Sequence, residues 1–140
     1  MGLGRLVQLD KGPFVGQVAL RAEHGRPPSR RIVGLEISWD DVEAAYTSYN
    51  LPPSWPAAAS RVAVPLYDGR QQVGKATSTT WSPVLKKLIA LATVESKYIE
   101  LGSKLEYEIT VEATRHRVAA TVIPTPFFNP PRKTAVPVLG

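Results

Sequence analysis

The side chains best suited to chemistry in this 140-residue chain are few and far apart. There is no cysteine, and the two histidines are His24 and His116. This excludes a thiol nucleophile, a disulfide scaffold, cysteine-ligated zinc and a three-histidine metal centre. The acids Glu106, Glu108 and Glu112 fall at even intervals in an alternating segment and so share one face of a strand. Such a row has no metal geometry unless other elements bring ligands to it. His116 lies between Arg115 and Arg117 at the expected start of a strand, the place of a rim residue rather than an acid–base catalyst. No Ser–His–Asp arrangement, phosphate loop or dinucleotide glycine pattern occurs. No catalytic residue and no metal ligand is therefore assigned. The remaining concentration of reactive surface is aromatic. Tyr46, Tyr49 and Trp55 crowd a stretch punctuated by Pro52, Pro53 and Pro56, and such residues favour an interface with another lobe or subunit.

Charge narrows the partners only a little. Seventeen Lys and Arg against twelve Asp and Glu give a net charge of +5, which favours anionic partners. The basic residues are scattered, in places as Arg30-Arg31, Lys86-Lys87, Arg115 and Arg117, and Arg132-Lys133, without the run of like charges that makes a basic tail. No apolar stretch approaches the roughly 18 residues of a membrane helix. The first residues lack the apolar core of a signal peptide, so a cytoplasmic protein without a membrane partner is expected. The length suits one domain.

The elements that must position these residues follow from period and punctuation. Pro13 at one end, and Gly25 with Pro27-Pro28 at the other, bracket a helix over 14–24, with Phe14, Val18 and Ala22 at steps of four and Gly16 in its interior. Val33, Leu35 and Ile37 predict a strand over 31–38. Residues 39–60 are the least regular, with a helical turn at 40–45 capped by Asp40 and then a proline-rich surface excursion. Residues 61–79 read as a hairpin about Asp68-Gly69, both in left-handed turn positions, with Pro65 marking an edge or bulge. Residues 80–86 form a connection, and 88–94 an apolar strand buried on both faces. In 104–112, Leu105, Tyr107, Ile109 and Val111 alternate with polar residues, the pattern of a half-buried antiparallel strand. Its partner is expected at 117–123, after a turn near 113–115. Short strands joined by hairpins, with one or two helices, predict a mainly β fold. It is a small antiparallel Greek-key β-barrel of about six strands with an N-terminal helix, whose closure removes exposed edges.

Read in order, several segments carry a resemblance. They are Gly12-Pro13-Phe14-Val15-Gly16 with Ala19-Leu20, then Arg31-Ile32-Val33-Gly34-Leu35-Glu36, Val73-Gly74-Lys75-Ala76-Thr77-Ser78, Trp81-Ser82-Pro83-Val84-Leu85-Lys86-Lys87, Ile89-Ala90-Leu91-Ala92-Thr93-Val94, and finally Pro126-Phe127 with Pro130-Pro131-Arg132. Over roughly residues 2–133 the chain resembles the C-terminal part of the glycine cleavage T-protein family of aminomethyltransferases. That family includes folate-dependent demethylases and the folate lobes of dimethylglycine- and sarcosine-oxidising enzymes. The resemblance implies an interlobe linker and helix over 1–29, a C-terminal barrel over 30–128 with the irregular insertion at 39–60, and an extended tail over 129–140.

In that family three lobes surround a channel that holds tetrahydrofolate, and the first two carry the acidic residue that orients the folate amine. Nothing here matches those lobes. The resemblance thus implies a fragment or a separately encoded lobe that helps to wall the folate channel, is not catalytic alone, and meets tetrahydrofolate only when the missing lobes are present. Trp81, in the loop at Ser82-Pro83, would then be a channel wall or a substrate contact. Arg5 and Lys11, in the interlobe segment, would meet the anionic tail of the cofactor, as cations pair with carboxylates. Tyr46, Tyr49 and Trp55 would contact another lobe. Thr79 stands where the family pattern T-S-G-x-x-S-P has its glycine, and a left-handed turn there would strain a threonine. The long 40–60 stretch resembles the demethylase and oxidase branches more closely.

Two other readings compete. A small basic barrel has the size and charge of a nucleic-acid-binding module, but no strand face interleaves aromatic with basic residues. A free-standing interaction module would cover the surface meant for other lobes with a self-associated copy.

Overall fold

Alternation of side chains decides which way each strand faces. In the computed structural model, which describes residues 6–133 and 135, Leu105, Tyr107, Ile109 and Val111 are all buried while the polar residues between them are not. They belong to β5 (Lys104–Val111), one of six strands with β1 (Arg30–Ile37), β2 (Val64–Asp68), β3 (Gln71–Ser82), β4 (Lys87–Glu95) and β6 (Thr114–Ile123). Every pairing is antiparallel, and the sheet closes in the order β1-β4-β3-β2-β5-β6. Strands β2, β3 and β4 are successive neighbours, and β1, joined to β2 by a long connection, lies beside β4. This is the Greek key. The mainly β barrel expected from the sequence is the fold observed.

The interior is filled by one residue in two from each strand. Val33, Leu35 and Ile37 come from β1, Leu88, Ala90, Ala92 and Val94 from β4, and Val118, Ala120 and Val122 from β6. The alanines leave room for Leu35, Leu66 and Tyr107 on neighbouring strands, the mixture of small and large residues that a narrow barrel needs. Burial of β4 on both faces is only partial, since Leu91 on its outer face is 38% exposed. Pro65 is tolerated because β5 pairs with β2 only at Leu66 and Tyr67, and a bulge lies between those two residues.

Strand β3 runs through Ser82, so the connection to β4 is shorter than expected and Thr79 and Trp81 lie on a strand. The left-handed turn anticipated at Thr79 does not exist. Thr79 pairs with Ala90, makes a bridge to Ser60, and is 2% exposed. Its hydroxyl lies 3.0 Å from the Tyr107 hydroxyl, so the buried polar groups satisfy each other. The left-handed residues are elsewhere. Lys86 (φ 53°) turns β3 into β4, and Glu112 and Ala113 (φ 48° and 61°) turn β5 into β6, slightly earlier than expected. In the β2–β3 hairpin the central residues are Gly69 and Arg70, and of these Gly69 alone has positive φ. This corrects the pair Asp68-Gly69.

Two helices flank the barrel. Helix α1 (Gln17–His24) starts later than predicted, because Gly16 is its N-cap, at φ 88°, and not an interior residue. None of its residues is buried. Helix α2 (Trp39–Thr47) occupies the first part of the stretch expected to be irregular. Ser38, rather than Asp40, caps it: the Ser38 hydroxyl accepts the Asp41 N–H at 3.2 Å. Asp40 and Asp41 in the first turn suit the positive end of the helix dipole. Past β6, Phe127 folds back over Gly34; the remainder of the expected tail, Thr134 and residues 136–140, lies outside the described residues.

Glycines 34 and 74 separate two kinds of close approach. A Cβ on Gly74 would sit 2.5 Å from the Thr93 carbonyl oxygen in the paired strand, whereas on Gly34 its nearest neighbours are side-chain atoms of Phe127 and Thr125, at 2.6 and 2.7 Å. Gly74→Ala is expected to destabilise the barrel by about 1–3 kcal/mol. Gly34→Ala should cost less and chiefly displace the 125–127 segment, as read from chemical-denaturation midpoints and protease sensitivity of the tail. Burial holds the Tyr107 phenol above its ordinary pKa, with the Thr79 hydroxyl opposing that shift. The unfolded phenol therefore ionises first. The stabilisation is full below about pH 10 and is lost as pH rises through the raised folded value. Urea midpoints between about pH 8 and pH 11 should fall less steeply for Tyr107→Phe. At neutral pH the same variant should lose about 1–2 kcal/mol, because it orphans Thr79.

Candidate functional site

Strand polarity gives the barrel two ends. At the first, β1, β3 and β5 finish and β4, β2 and β6 begin, and here α2 lies against β5 and β6. Val42 of α2 is fully buried and plugs this end. The helix is fastened by its own cap, since the Asp41 carboxylate accepts the Ala119 N–H at 2.8 Å, and the Ser38 N–H donates to the Ala119 carbonyl, also at 2.8 Å. Sequence reading missed Asp41. The available signal was the Ser38-x-x-Asp41 spacing, which resembles a helix-start motif.

The aromatic residues gather at this end. Trp81, on β3, meets Trp39 edge-on, with ring centroids 5.0 Å apart. The Tyr49 hydroxyl lies 3.2 Å from His116 Nε2, and the two rings are perpendicular. Tyr46 donates to the Ser54 carbonyl at 2.9 Å, which folds the proline-rich stretch back onto α2. Trp55 packs against the core, with its Nε1 buried and without a partner. Tyr46, Tyr49, Trp55 and Trp81 are thus brought together around one end, each half-buried. Trp81 is on a strand, not in the loop expected for it.

The cations assigned to the cofactor are not part of that assembly. Lys11 stacks over Phe14 at 4.8 Å, in the lead-in to α1, where the Leu9 carbonyl accepts from Gln17 and Arg21. Arg5 lies outside the described residues. At the second barrel end, the Tyr98 hydroxyl donates to Asp68 at 2.7 Å, and that bond to a carboxylate holds the phenol above its usual pKa.

On the outer wall the acids are already engaged. Glu106 pairs with Arg117 at 3.0 Å, and Arg117 also donates to the Gly69 carbonyl and stacks on the Tyr67 ring at 3.9 Å. Glu108 accepts from the Tyr67 hydroxyl and faces Arg115. Glu36 pairs with Lys87 at 2.7 Å. The row Glu106, Glu108 and Glu112 is therefore divided: two acids lie in cross-strand pairs and Glu112 is in a turn.

A folate site asks for a carboxylate withdrawn from water against the pterin, an aromatic wall, and cations for the glutamate tail. Among the described residues no carboxylate is buried, Thr79 being the polar residue in the core. Nor do three His, Asp or Glu side chains gather to hold a metal ion. The aromatic wall is present without its counterparts, and these residues do not by themselves fit the cofactor. What the arrangement offers is a rigid, closed body with an aromatic end and an uncovered lead-in helix.

Comparison with known proteins agrees with this description. Residues 30–129 match the family model of the glycine cleavage T-protein C-terminal barrel domain, a match that starts at the first residue of β1. An aminomethyltransferase from Acidobacterium capsulatum is 39% identical over 137 residues, covering 96% of this chain and 30% of that protein. One from Thermosynechococcus vestitus is 34% identical over 134 residues, covering 96% of this chain and 31% of that protein. The chain thus spans about a third of the length of the relatives it matches. The crystal structure of the glycine cleavage system aminomethyltransferase T from Bartonella henselae shares the fold, with a TM-score of 0.57 at 20% identity over 81% of this chain and 26% of that one. The match over the whole barrel places this chain in the glycine cleavage T-protein C-terminal barrel family.

Proposed function

We propose that this chain is the C-terminal lobe of a tetrahydrofolate-dependent aminomethyltransferase or demethylase, which helps to wall the folate channel and does no chemistry alone. The observation that carries the reading is its alignment, over 96% of its own length, with only 31% of a protein named as an aminomethyltransferase. The structure is consistent with a lobe that needs companions. Helix α1 buries none of its residues, and Val15 and Val18 beside and within it are open to solvent. Apolar side chains left bare in this way mark a surface meant to be covered. The companions are the N-terminal folate-binding lobes, and tetrahydrofolate belongs to the site they complete. Lys11 and Arg5 in the lead-in would contribute charge toward the cofactor tail, and Trp81 an aromatic wall. A cytoplasmic setting goes with this reading; among the described residues no helix is long and apolar enough to cross a membrane.

A nucleic-acid-binding barrel finds no comparable support. The outer strand faces carry cross-strand pairs of opposite charge, Glu106 with Arg117 and Glu36 with Lys87, and the aromatics are folded into the helix-capped end instead of standing among cations.

The purified chain alone should give no transfer of a one-carbon group to tetrahydrofolate and no quenching of tryptophan fluorescence by the cofactor. Co-expressed with the N-terminal lobes of the Acidobacterium capsulatum relative, it should co-purify with them and restore folate-dependent turnover. Trp81→Ala in that assembly should lower turnover by about tenfold or more, the equivalent of 1.4 kcal/mol in the barrier. Turnover by the isolated chain, or failure to associate with those lobes, would overturn the reading.

A further inference from the structure

Strand β1 is paired along its whole length on one side and along half of it on the other. Residues 30–37 pair with β4, but only 34–37 pair with β6. Strand β6 stops at Ile123, opposite Gly34, and the chain leaves the sheet. Which backbone groups remain open follows from the hydrogen bonds nearby. The Val122 N–H donates to the Ser103 carbonyl and its carbonyl accepts the Gly102 N–H, so Val122 is turned toward the β5 side, and its opposite residue Leu35 is turned toward β4. Ser38 donates to Ala119 across the β1–β6 seam. Even-numbered residues of β1 therefore direct both N–H and C=O toward β6. By that alternation Ile32 and Arg30 present theirs to the side that β6 has left, and among the described residues nothing pairs there.

The open edge borders a groove of about 230 Å³ lined by Arg31, Ile32, Val33, Ile99, Leu101 and Val122, among others. Ile32 is 46% and Leu101 66% exposed. An unpaired strand edge beside a groove that can take side chains is the arrangement used to capture an extended peptide as an additional strand. Charge selects the peptide. Arg30 and Arg31 are exposed and make no ion pair among the described residues. A second copy pairing antiparallel through the open groups of Arg30 and Ile32 would set Arg31 opposite Arg31, and like charges directly opposite are destabilising. An acidic strand has the opposite outcome, since Arg31 is a free bidentate donor for a carboxylate.

We propose that the open edge of β1 over residues 30–33, with the groove beside it, is a docking site for an extended acidic peptide that pairs with the Ile32 backbone and presents a carboxylate to Arg31. This site is at the barrel end away from α2, and it does not depend on the folate reading.

The test is titration of the whole isotopically labelled chain with an acetylated, amidated Val-Glu-Val-Glu-Val peptide, followed by amide chemical shifts and hydrogen exchange. Saturable shifts at Ile32, Gly34 and Leu101, together with slowed exchange of the Ile32 N–H, are expected. A peptide with lysine in place of glutamate, and the variant Arg31→Glu, should each weaken binding about tenfold or more, the size of one charge-assisted contact. An acidic peptide N-methylated at alternate residues should not bind, because it cannot form the ladder. Should Arg31→Glu fail to fold by circular dichroism, the N-methylated and lysine peptides against the wild-type chain decide. Absence of saturable shifts at about 1 mM peptide, shifts confined to another surface, or equal binding of the lysine peptide would overturn the proposal. Concentration-dependent shifts at Ile32 without peptide would overturn it too, by showing that the edge pairs with a second copy.

Discussion

A six-stranded antiparallel sheet left open has two edges, β1 and β6, and here one short seam joins half of the one to four residues of the other. Four residue pairs between β1 and β6, from Gly34 opposite Ile123 to Ile37 opposite Ala120, close the barrel. The register of that seam sets the interior. Because side chains alternate, shifting it by one residue would turn Val33, Leu35 and Ile37 outward while Val118, Ala120 and Val122 still faced in. Small residues keep the seam close. Gly34 lets Phe127 and Thr125 lie over it, and Ala120 leaves space inside. The cap on α2 is tied to the same place, since Ser38 and Asp41 both bond to Ala119, the residue before the seam. Closure, helix docking and the path of the tail are therefore consequences of one strand pairing.

The elements that could be read from the sequence are those whose burial follows a simple period. Strand β5 shows alternation without exception, and β1 shows it from Val33 onward except at Gly34, which Phe127 and Thr125 cover. Where reading failed, a tertiary partner overrode the local signal. Thr79 stands where the family pattern has a glycine, which suggests a strained turn, whereas it is a strand residue whose buried hydroxyl finds its partner in Tyr107, 28 residues away. Asp40 and Ser38 are both good helix caps, and the choice between them is made by Ala119, whose N–H and C=O bind the Asp41 and Ser38 side of the helix. The turn at Glu112-Ala113 uses two left-handed residues with no glycine, so its existence near 113–115 was legible but its position was not. Gly16 was misread for the opposite reason, as its sequence position fitted the helix while its backbone suits the cap.

The candidate site was legible as composition and not as geometry. That Tyr46, Tyr49 and Trp55 would act as a group could be read from their spacing. That they join Trp39 and Trp81 over one barrel end requires the long connection between β1 and β2 to cross that end as a helix. His116 illustrates the difference. Between two arginines it reads as a solvated rim residue, but its strand phase faces the barrel mouth, where Tyr49 meets it. Arg115 and Arg117 face outward on either side, to Glu108 and Glu106.

The two barrel ends consequently have different characters. The α2 end is closed by Val42 and by aromatic packing, with its polar groups largely matched within the chain. The opposite end carries the half-paired β1, the exposed Leu101, two arginines that make no ion pair among the described residues, and the arrival of the uncovered α1. The contrast has a structural origin in the Greek key. The long connection leaves β1 at its C-terminal end and has the length to fold over that end as a helix, whereas at the other end β4 passes to β5 through residues 96–103, which hold only the 3-10 turn Ser96–Tyr98. The topology that makes a stable core from one residue in two thus also decides which end of the barrel its own chain covers.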